Sequence, residues 1–153
     1  MENTTVSIPM RVLTVAFDVS SERLDYCYMP ASCVIGKSCS NNTDEIMKAL
    51  SDLKKFAKAS GFHEIRIICE STGVYHRNLL LIARQLRLRT HLVSGEAVAA
   101  QRKIRFNDTG KNDERDAEAI LDVGRVGRLL KHCLLYTSPS PRDATLSRMP
   151  SSA

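Results

Sequence analysis

The feature that most constrains the fold of this chain is a pair of apolar segments that each end at an acidic residue. Residues 12–17 are apolar and rich in β-branched side chains and are followed by Asp18, and residues 64–69 (EIRIIC) run into Glu70. Runs of this kind are typical of strands that are covered on both faces. Open sheets with helical crossovers bind their ligands at the carboxyl ends of such strands. If the two strands are neighbours, Asp18 and Glu70 face each other at one edge of the sheet.

The remaining segments surround these two strands. Alternating or short apolar segments predict three more strands, at residues 26–29, 33–35 and 91–93. Amphipathic spacing predicts three helices, at residues 43–59, 74–87 and 112–130. Thr43 is in a position to cap the first helix. Because parallel crossovers are right-handed in nearly all proteins, the strand ending at Glu70 can lie parallel to the strand ending at Asp18. We therefore predict an α/β protein with a mixed five-stranded sheet flanked by helices.

Composition allows one ordinary globular domain. The chain has 153 residues, of which 43% are hydrophobic, and its net charge is +5 from 22 basic and 17 acidic side chains. This charge suits a polyanionic partner, but a solvated and mildly basic surface explains it equally well. The five cysteines form no CxxC pair, so neither a disulfide framework nor a zinc knuckle is indicated.

The two ends of the chain differ from its centre. Residues 1–10 are interpreted as an N-terminal extension without the features of a signal peptide, and no apolar run approaches the roughly 20 residues that span a bilayer. We therefore expect a cytoplasmic protein with no membrane partner, whose folded domain covers residues 11–133. Residues 134–153 are rich in Ser and Pro and lack an apolar period, so we predict a disordered tail. This tail looks like translated sequencing adapter, and we expect it to replace the natural continuation of the protein.

Two acids at the start of the third predicted helix extend the acidic set. Asp113 and Asp116 are three residues apart and lie on the face that continues into Ala117 and Ile120, which should pack on the sheet. The helix macrodipole explains an acid at Asp113 but not at Asp116. Four clustered carboxylates repel one another unless a cation is present, and their hard oxygen ligands suit Mg²⁺ or Mn²⁺. Two such ions about 4 Å apart favour phosphodiester chemistry. Metal-dependent phosphoryl transfer is the hypothesis that follows, with the ligands Asp18, Glu70, Asp113 and Asp116.

Several other residues are candidates for contact with nucleic acid. Four basic residues precede the acidic helix and are placed to hold phosphates beside the metal, although a solvated basic loop is the alternative: Arg102, Lys103, Arg105 and Lys111. Tyr75 follows the second apolar strand in a Thr-Gly-Val-Tyr turn, and it either stacks on a base or packs in the core.

Three blocks of the sequence, VAFDVS, IICESTGVYH and KNDERDA, resemble the signature blocks of the DEDD-type transposases of bacterial insertion sequences. This family is related to a pilin-gene invertase, and the resemblance covers about residues 12–130. It implies an RNase H-like (RuvC-like) N-terminal domain that takes part in DNA strand cleavage and transfer. Matched residue by residue, the four metal-binding acids of the family are Asp18, Glu70, Asp113 and Asp116.

The same resemblance implies partners and also shows departures. It implies DNA as substrate, a guide RNA encoded by the element, a homo-oligomer and a C-terminal domain with a serine nucleophile, which this chain lacks. This chain has Asn112 where the family usually has Thr, His76 where it has an aromatic residue, and Ser94-Gly95 where it has Asn-Pro, but no acid is lost. Two other functions stay open: a stand-alone RuvC-like nuclease or resolvase, and an inactive nucleic-acid-binding remnant. An actin-like ATPase is disfavoured because no glycines follow Asp18 closely.

Overall fold

The computed structural model describes residues 9–71, 73–106, 113–125 and 134–135, and for residues 105–106, 113–115 and 134–135 it describes the backbone only. Ten elements follow in this order: β1 Val12–Val19, β2 Arg23–Tyr28, β3 Ile35–Ser40, α1 Thr43–Ala59, β4 Glu64–Glu70, α2 Arg77–Gln85, β5 Arg89–Val93, α3 Gly95–Phe106, α4 Asp113–Arg125 and β6 Leu134–Leu135. Among the described residues, no helix is both long and apolar enough to cross a bilayer.

The strands form one mixed sheet in the order β3-β2-β1-β4-β5-β6. Strands β1, β4 and β5 are parallel, whereas β2 and β3 extend the sheet from β1 as an antiparallel meander. An antiparallel meander leading into three parallel strands is the RNase H-like arrangement, so the predicted fold and its five strands are confirmed. The two-residue strand β6 adds to this sheet at the edge of β5.

Alternation along the strands divides the core into two layers. Leu13, Val15 and Phe17 of β1 belong to the cluster that packs under α1 and α2, while Ala16 belongs to the cluster under α3 and α4. Side chains alternate between the two faces of a strand, so the next residue with the orientation of Ala16 is Asp18. The acid therefore lies on the α3 and α4 face of the sheet.

Some predicted boundaries need correction. Helix α1 has its predicted bounds, but the cap is Asn42, whose side chain accepts a hydrogen bond of 2.9 Å from the Glu45 amide. The predicted start of α2 at residue 74 is three residues early, and β3 lies at Ile35–Ser40 instead of 33–35. Helix α4 extends to Arg125 in the described part, and residues 126–130 of its predicted span lie outside that part.

Helix α3 was not predicted at all. The sequence analysis treated its basic residues as a stretch leading into a loop, whereas residues 95–106 form a helix of twelve residues. Its pattern is weak because Val98 is its one fully buried residue among those whose side chains are described. Contact with α4, rather than an apolar stripe of its own, therefore stabilises this helix.

The predicted tail also needs a partial correction. Leu134 and Leu135 fall within it, yet their backbones pair with Leu92 and His91 of β5. Residues 136–153 lie outside the described residues, and for them the disordered and non-native tail stays a prediction. The same holds for the N-terminal extension, of which residues 1–8 lie outside the described part.

Candidate functional site

Asp18 and Glu70 lie side by side on neighbouring strands, as predicted. In the parallel pairing of β1 with β4, Phe17 is opposite Cys69, and the next residue on each strand is an acid. Neighbouring strands lie about 4.8 Å apart, and residues opposite each other share a face of the sheet. Both acids are half-buried. The two carboxylates therefore start from adjacent positions on the α3 and α4 face.

Helix α4 brings Asp116 to the same face. Ala117, Ile120 and Leu121 bury this helix on the sheet, and Asp116 is only 8% exposed. Gly124 allows the close approach, because a Cβ at this position would overlap the Ile68 side chain of β4. A larger residue at Gly124 would require either the Ile68 side chain or the helix that carries Asp116 to move.

The remaining acid of the predicted set is only partly described. Asp113 is the first residue of α4, but its side chain lies outside the described residues. The same is true of the Arg105 side chain, and Lys111 lies outside the described part entirely. Their predicted roles therefore stay predictions.

Arg102 forms an ion pair with Asp116 that links α3 to α4. Its Nη2 lies 2.6 Å from the Asp116 Oδ1, and the two side chains are only 17% and 12% exposed. A carboxylate in such a setting needs a positive partner, because desolvation penalises its charged form. Arg102 is therefore not part of a solvated basic loop, as one interpretation of the sequence had it. Lys103, next to it on α3, is exposed.

A further acid, Asp25, was missed by the sequence analysis. In the antiparallel pairing of β1 with β2, Asp25 lies directly opposite Asp18. Arg23 donates to its Oδ1 through Nε at 2.9 Å and through Nη2 at 2.6 Å. The alternation of β2 contained the signal, since Leu24 and Tyr26 face the other layer. Asp25, Asp18 and Glu70 thus form a row across three strands.

Asn41 is a second residue that the sequence analysis missed. It follows β3, and its Nδ2 donates to the Ser20 carbonyl at 2.8 Å and to the Tyr75 carbonyl at 3.0 Å. Ser20 lies just beyond β1, and Tyr75 lies in the loop after β4. One side chain therefore ties together the two loops that follow Asp18 and Glu70. No short motif marks such a role, because Asn in a polar run before a helix usually indicates a cap.

The environment of the loop residue Tyr75 excludes one of its two interpretations. Tyr75 is 52% exposed, and its neighbour Val74 is equally exposed. The core interpretation of Tyr75 is therefore wrong, and its ring is available at the surface beside the acidic face.

Cys69, between the core and Glu70, adds no charge to this region. Burial, and next the negative charge of Glu70, raise the pKa of its thiol to about 12. A thiol with so high a pKa stays protonated at neutral pH and is a poor nucleophile. Among the described cysteines, Cys27 is buried as well, whereas Cys33 is exposed.

The acids have the oxygen donors that a divalent cation prefers, and they lie on one face of the sheet. Asp18, Glu70 and Asp116 supply hard oxygen donors from three elements to one face, and the Arg102 guanidinium already supplies positive charge beside Asp116. Within the part of the chain that is described, no three His, Cys, Asp or Glu side chains are grouped as a ready-made ligand set. The acids are therefore suited to a cation by their chemistry, and Arg102 is the counter-charge at Asp116.

The fold and this acidic face define an RNase H-like domain with carboxylates at the ends of its central strands. The chain matches the IS110-type DEDD transposase family over residues 15–136 and belongs to that family of transposases. This confirms the family that the three sequence blocks indicated. A search of the curated proteins finds no significant match.

Solved structures provide distant similarities. RuvC of T. thermophilus, determined in complex with a Holliday junction substrate, is 9% identical with a TM-score of 0.47 over 76% of this chain and 97% of that one. YeaZ from Pseudomonas aeruginosa is 15% identical with a TM-score of 0.39, covering 63% of this chain and 50% of that one. The Aquifex aeolicus member of the Ppx/GppA family has the same identity and TM-score, covering 62% and 39%. These similarities are too distant to carry a functional argument.

Proposed function

We propose that this chain provides the metal-binding acidic half of the active site of a DNA transposase, which cleaves and transfers DNA strands. Membership of a transposase family supports the class of reaction. The observation that carries the assignment to this face is the adjacent placement of Asp18 and Glu70 beneath the helix that bears Asp116. The proposed ligands of Mg²⁺ or Mn²⁺ are Asp18, Glu70, Asp113 and Asp116.

Each group of this face has a definable task. When bound, the cation would polarise the phosphodiester and stabilise charge on the attacking and leaving oxygens. Asp18 and Glu70 hold their carboxylates on rigid strands, and Asn41 fixes the loops beyond them. Arg102 balances the charge of Asp116. These residues thus place oxygen donors on rigid elements, and their side chains would have to rearrange to bind one cation together, because the described carboxylates are not grouped as a ligand set.

The nucleic-acid contacts belong to the same proposal. Lys103 and Tyr75 are exposed on elements that border the acidic face, where a cation can neutralise a phosphate and a ring can stack on a base. Arg102, Arg105 and Lys111 complete the proposed set. A guide RNA, a homo-oligomeric assembly and a serine domain beyond this chain follow from the family resemblance alone.

Calorimetric titration with Mn²⁺ tests the proposal directly. We expect Mn²⁺ to bind the parent chain and raise its melting temperature, because a ligand that binds only the folded state stabilises it. Asp18→Asn and Glu70→Gln should each weaken Mn²⁺ binding at least about tenfold, as expected when a charged ligand is lost. Glu22→Gln, in the exposed turn after β1, is the matched control and should bind Mn²⁺ like the parent. Equal Mn²⁺ affinity in all four proteins would contradict the proposal.

A second candidate is a nucleic-acid-binding module that has no cation site of its own. The ion pair between Arg102 and Asp116 favours it, because a carboxylate that already has a cationic partner has less need of a metal. This candidate predicts no Mn²⁺ binding to the parent chain, together with DNA binding that is insensitive to EDTA. The titration above therefore separates the two functions.

A further inference from the structure

A cleft lies at the opposite end of the sheet from the acids. It forms where β4 and β5 begin and where α1 and α2 end, and it encloses about 510 Å³. Four of its lining residues are cationic, and we call this surface the basic cleft: Lys54, Lys58, Arg87 and Arg89. Strand β4 runs from Glu64 in this cleft to Glu70 at the acidic face, about 20 Å away at 3.3 Å per residue. The two surfaces are therefore separate.

Some of the cations in the basic cleft already have partners within the protein. Glu64 is the one acid among the described lining residues, and it lies 3.6 Å from the Arg89 Nε and 4.0 Å from the Arg66 Nη2. The Lys54 Nζ donates to the Leu86 carbonyl at 3.1 Å, which satisfies a carbonyl at the end of α2. These contacts account for Arg89 and Lys54 without a ligand.

Lys58 and Arg87 are not accounted for in this way. Both are exposed, and across the described part of the chain neither side chain has an ion pair or a hydrogen bond. Arg87 also has a φ of 59°, in the left-handed region that costs a residue other than glycine about 1 kcal/mol or more. The turn after α2 thus holds a bulky cation at a position where glycine is the usual residue.

The cleft combines this charge with apolar surface. Phe62, Leu86 and Leu88 line it beside the cations, and the Arg11 guanidinium lies 4.5 Å from the centre of the Phe62 ring. Proteins bind single-stranded nucleic acids in positively charged grooves whose aromatic side chains stack on the bases, and Phe62 is the aromatic residue that lines this cleft. The volume of this cleft lies in the range of about 300–1,000 Å³ that is usual for small-ligand sites, so it has room for nucleotides of a single strand.

We propose that the basic cleft binds a single-stranded nucleic acid through phosphate contacts to Lys58 and Arg87. The surface is independent of the acidic face and of any cation bound there. A strand bound in the cleft leaves the acidic face free for a second strand. The chain thereby has two nucleic-acid surfaces at opposite ends of one sheet.

Fluorescence anisotropy tests this with the 153-residue chain in EDTA, which removes any contribution of the acidic face through a metal. The probes are a labelled 20-nucleotide single-stranded RNA, a single-stranded DNA of the same sequence and the corresponding duplex DNA. The double variant Lys58→Glu/Arg87→Glu is compared with Lys55→Glu/Arg84→Glu. In the control pair, Lys55 is exposed on α1 and Arg84 is exposed on α2. Both lie outside the cleft, and their substitution changes the net charge equally.

We expect the cleft variant to bind at least one of the single-stranded probes about tenfold or more weakly at physiological salt. The control should lose less than about threefold, and the dependence of the parent's affinity on salt should become shallower only in the cleft variant. The loss of affinity for the RNA probe or for the single-stranded DNA probe shows which of the two nucleic acids the cleft binds. An equal loss in both double variants would overturn the proposal, because it indicates a diffuse basic surface. A parent chain that binds only duplex DNA, or no nucleic acid, would overturn it as well.

Discussion

The charged side chains at the two ends of the central sheet differ in whether they have partners within the protein. At the carboxyl end, Asp25 and Asp116 are each held by an arginine of the same chain, through contacts of 2.6 Å. At the amino end, Lys58 and Arg87 are exposed without such partners in the described part of the chain. The acidic face is therefore partly neutralised from within, whereas Lys58 and Arg87 of the basic cleft remain available to an external anion.

The difference follows from burial. Asp116 lies between a helix and the sheet, where an unpaired charge costs several kcal/mol, so a partner inside the protein is required. The cations of the cleft are solvated and have no such need. A buried charge therefore needs a partner that the fold itself supplies, whereas an exposed charge can remain available to a ligand.

The largest loss of stability is expected from Gly124→Val, which disturbs the packing of α4 on the sheet at the acidic face. The added side chain overlaps the end of the Ile68 side chain, which is fully buried, so either Ile68 must change its rotamer within the packed core or α4 must shift. We expect the free energy of unfolding to fall by about 3 kcal/mol, at the upper end for overpacked cores. Chemical denaturation measures the loss. Gly36→Val is the control, since a Cβ at Gly36 meets nothing within 4 Å and should change stability by less than about 0.5 kcal/mol. A Gly124→Val protein as stable as the parent would show that α4 is not held close to the sheet.

The next largest effect is expected from breaking the ion pair between Arg102 and Asp116. Four clustered acids would repel in the metal-free protein, and on that ground neutralising Asp116 should be harmless or stabilising. The contact with Arg102 reverses this expectation. Asp116→Asn should destabilise the metal-free chain by about 1–3 kcal/mol, because it leaves a half-buried guanidinium without its partner.

A double-mutant cycle with Arg102→Gln isolates that interaction. The double variant should recover part of the loss, since neither charge is then left alone. Arg102→Gln by itself should bind Mn²⁺ more tightly than the parent, because the competing cation is gone. Additive losses in the cycle would mean that the pair contributes nothing, and unchanged Mn²⁺ affinity would mean that Arg102 does not compete with a metal.

At the basic cleft, Arg87→Gly should separate stability from binding. Glycine adopts the left-handed conformation freely, so we expect the free energy of unfolding to rise by about 0.5–1 kcal/mol. Binding of the single-stranded probe should weaken in the same protein. If the variant is less stable than the parent, Arg87 makes a packing contribution that outweighs its backbone strain.

The smallest effect is expected from His91 of β5, between the two ends of the sheet. Burial, and next the charges of Arg66 and Arg89, lower the pKa of His91. The unfolded chain then takes up a proton near pH 6.5 that the folded chain does not, so stability declines as the pH falls below about 6.5. His91→Gln should remove this part of the decline. Denaturation curves at pH 7.5 and 5.5 measure it, and an identical pH dependence in parent and variant would contradict the assignment to His91.

The local patterns of the chain were sufficient for most of the scaffold. Alternation and apolar runs predicted the five strands, and the bounds of α1 agree with its amphipathic period. Helix α3 escaped prediction because it is stabilised by contact with α4 and has little apolar periodicity of its own. Local propensity is a weak guide for such helices.

The sequence by itself determined that Asp18 and Glu70 lie at the ends of buried strands, because strand burial and its termination are local properties of the chain. Only the tertiary structure decided that Asp25 lies beside Asp18, that Asn41 joins the loops after β1 and β4, and that Arg102 neutralises Asp116. Each of these contacts depends on strand register or helix placement. Those are set by packing of the whole core, so no short segment contains them.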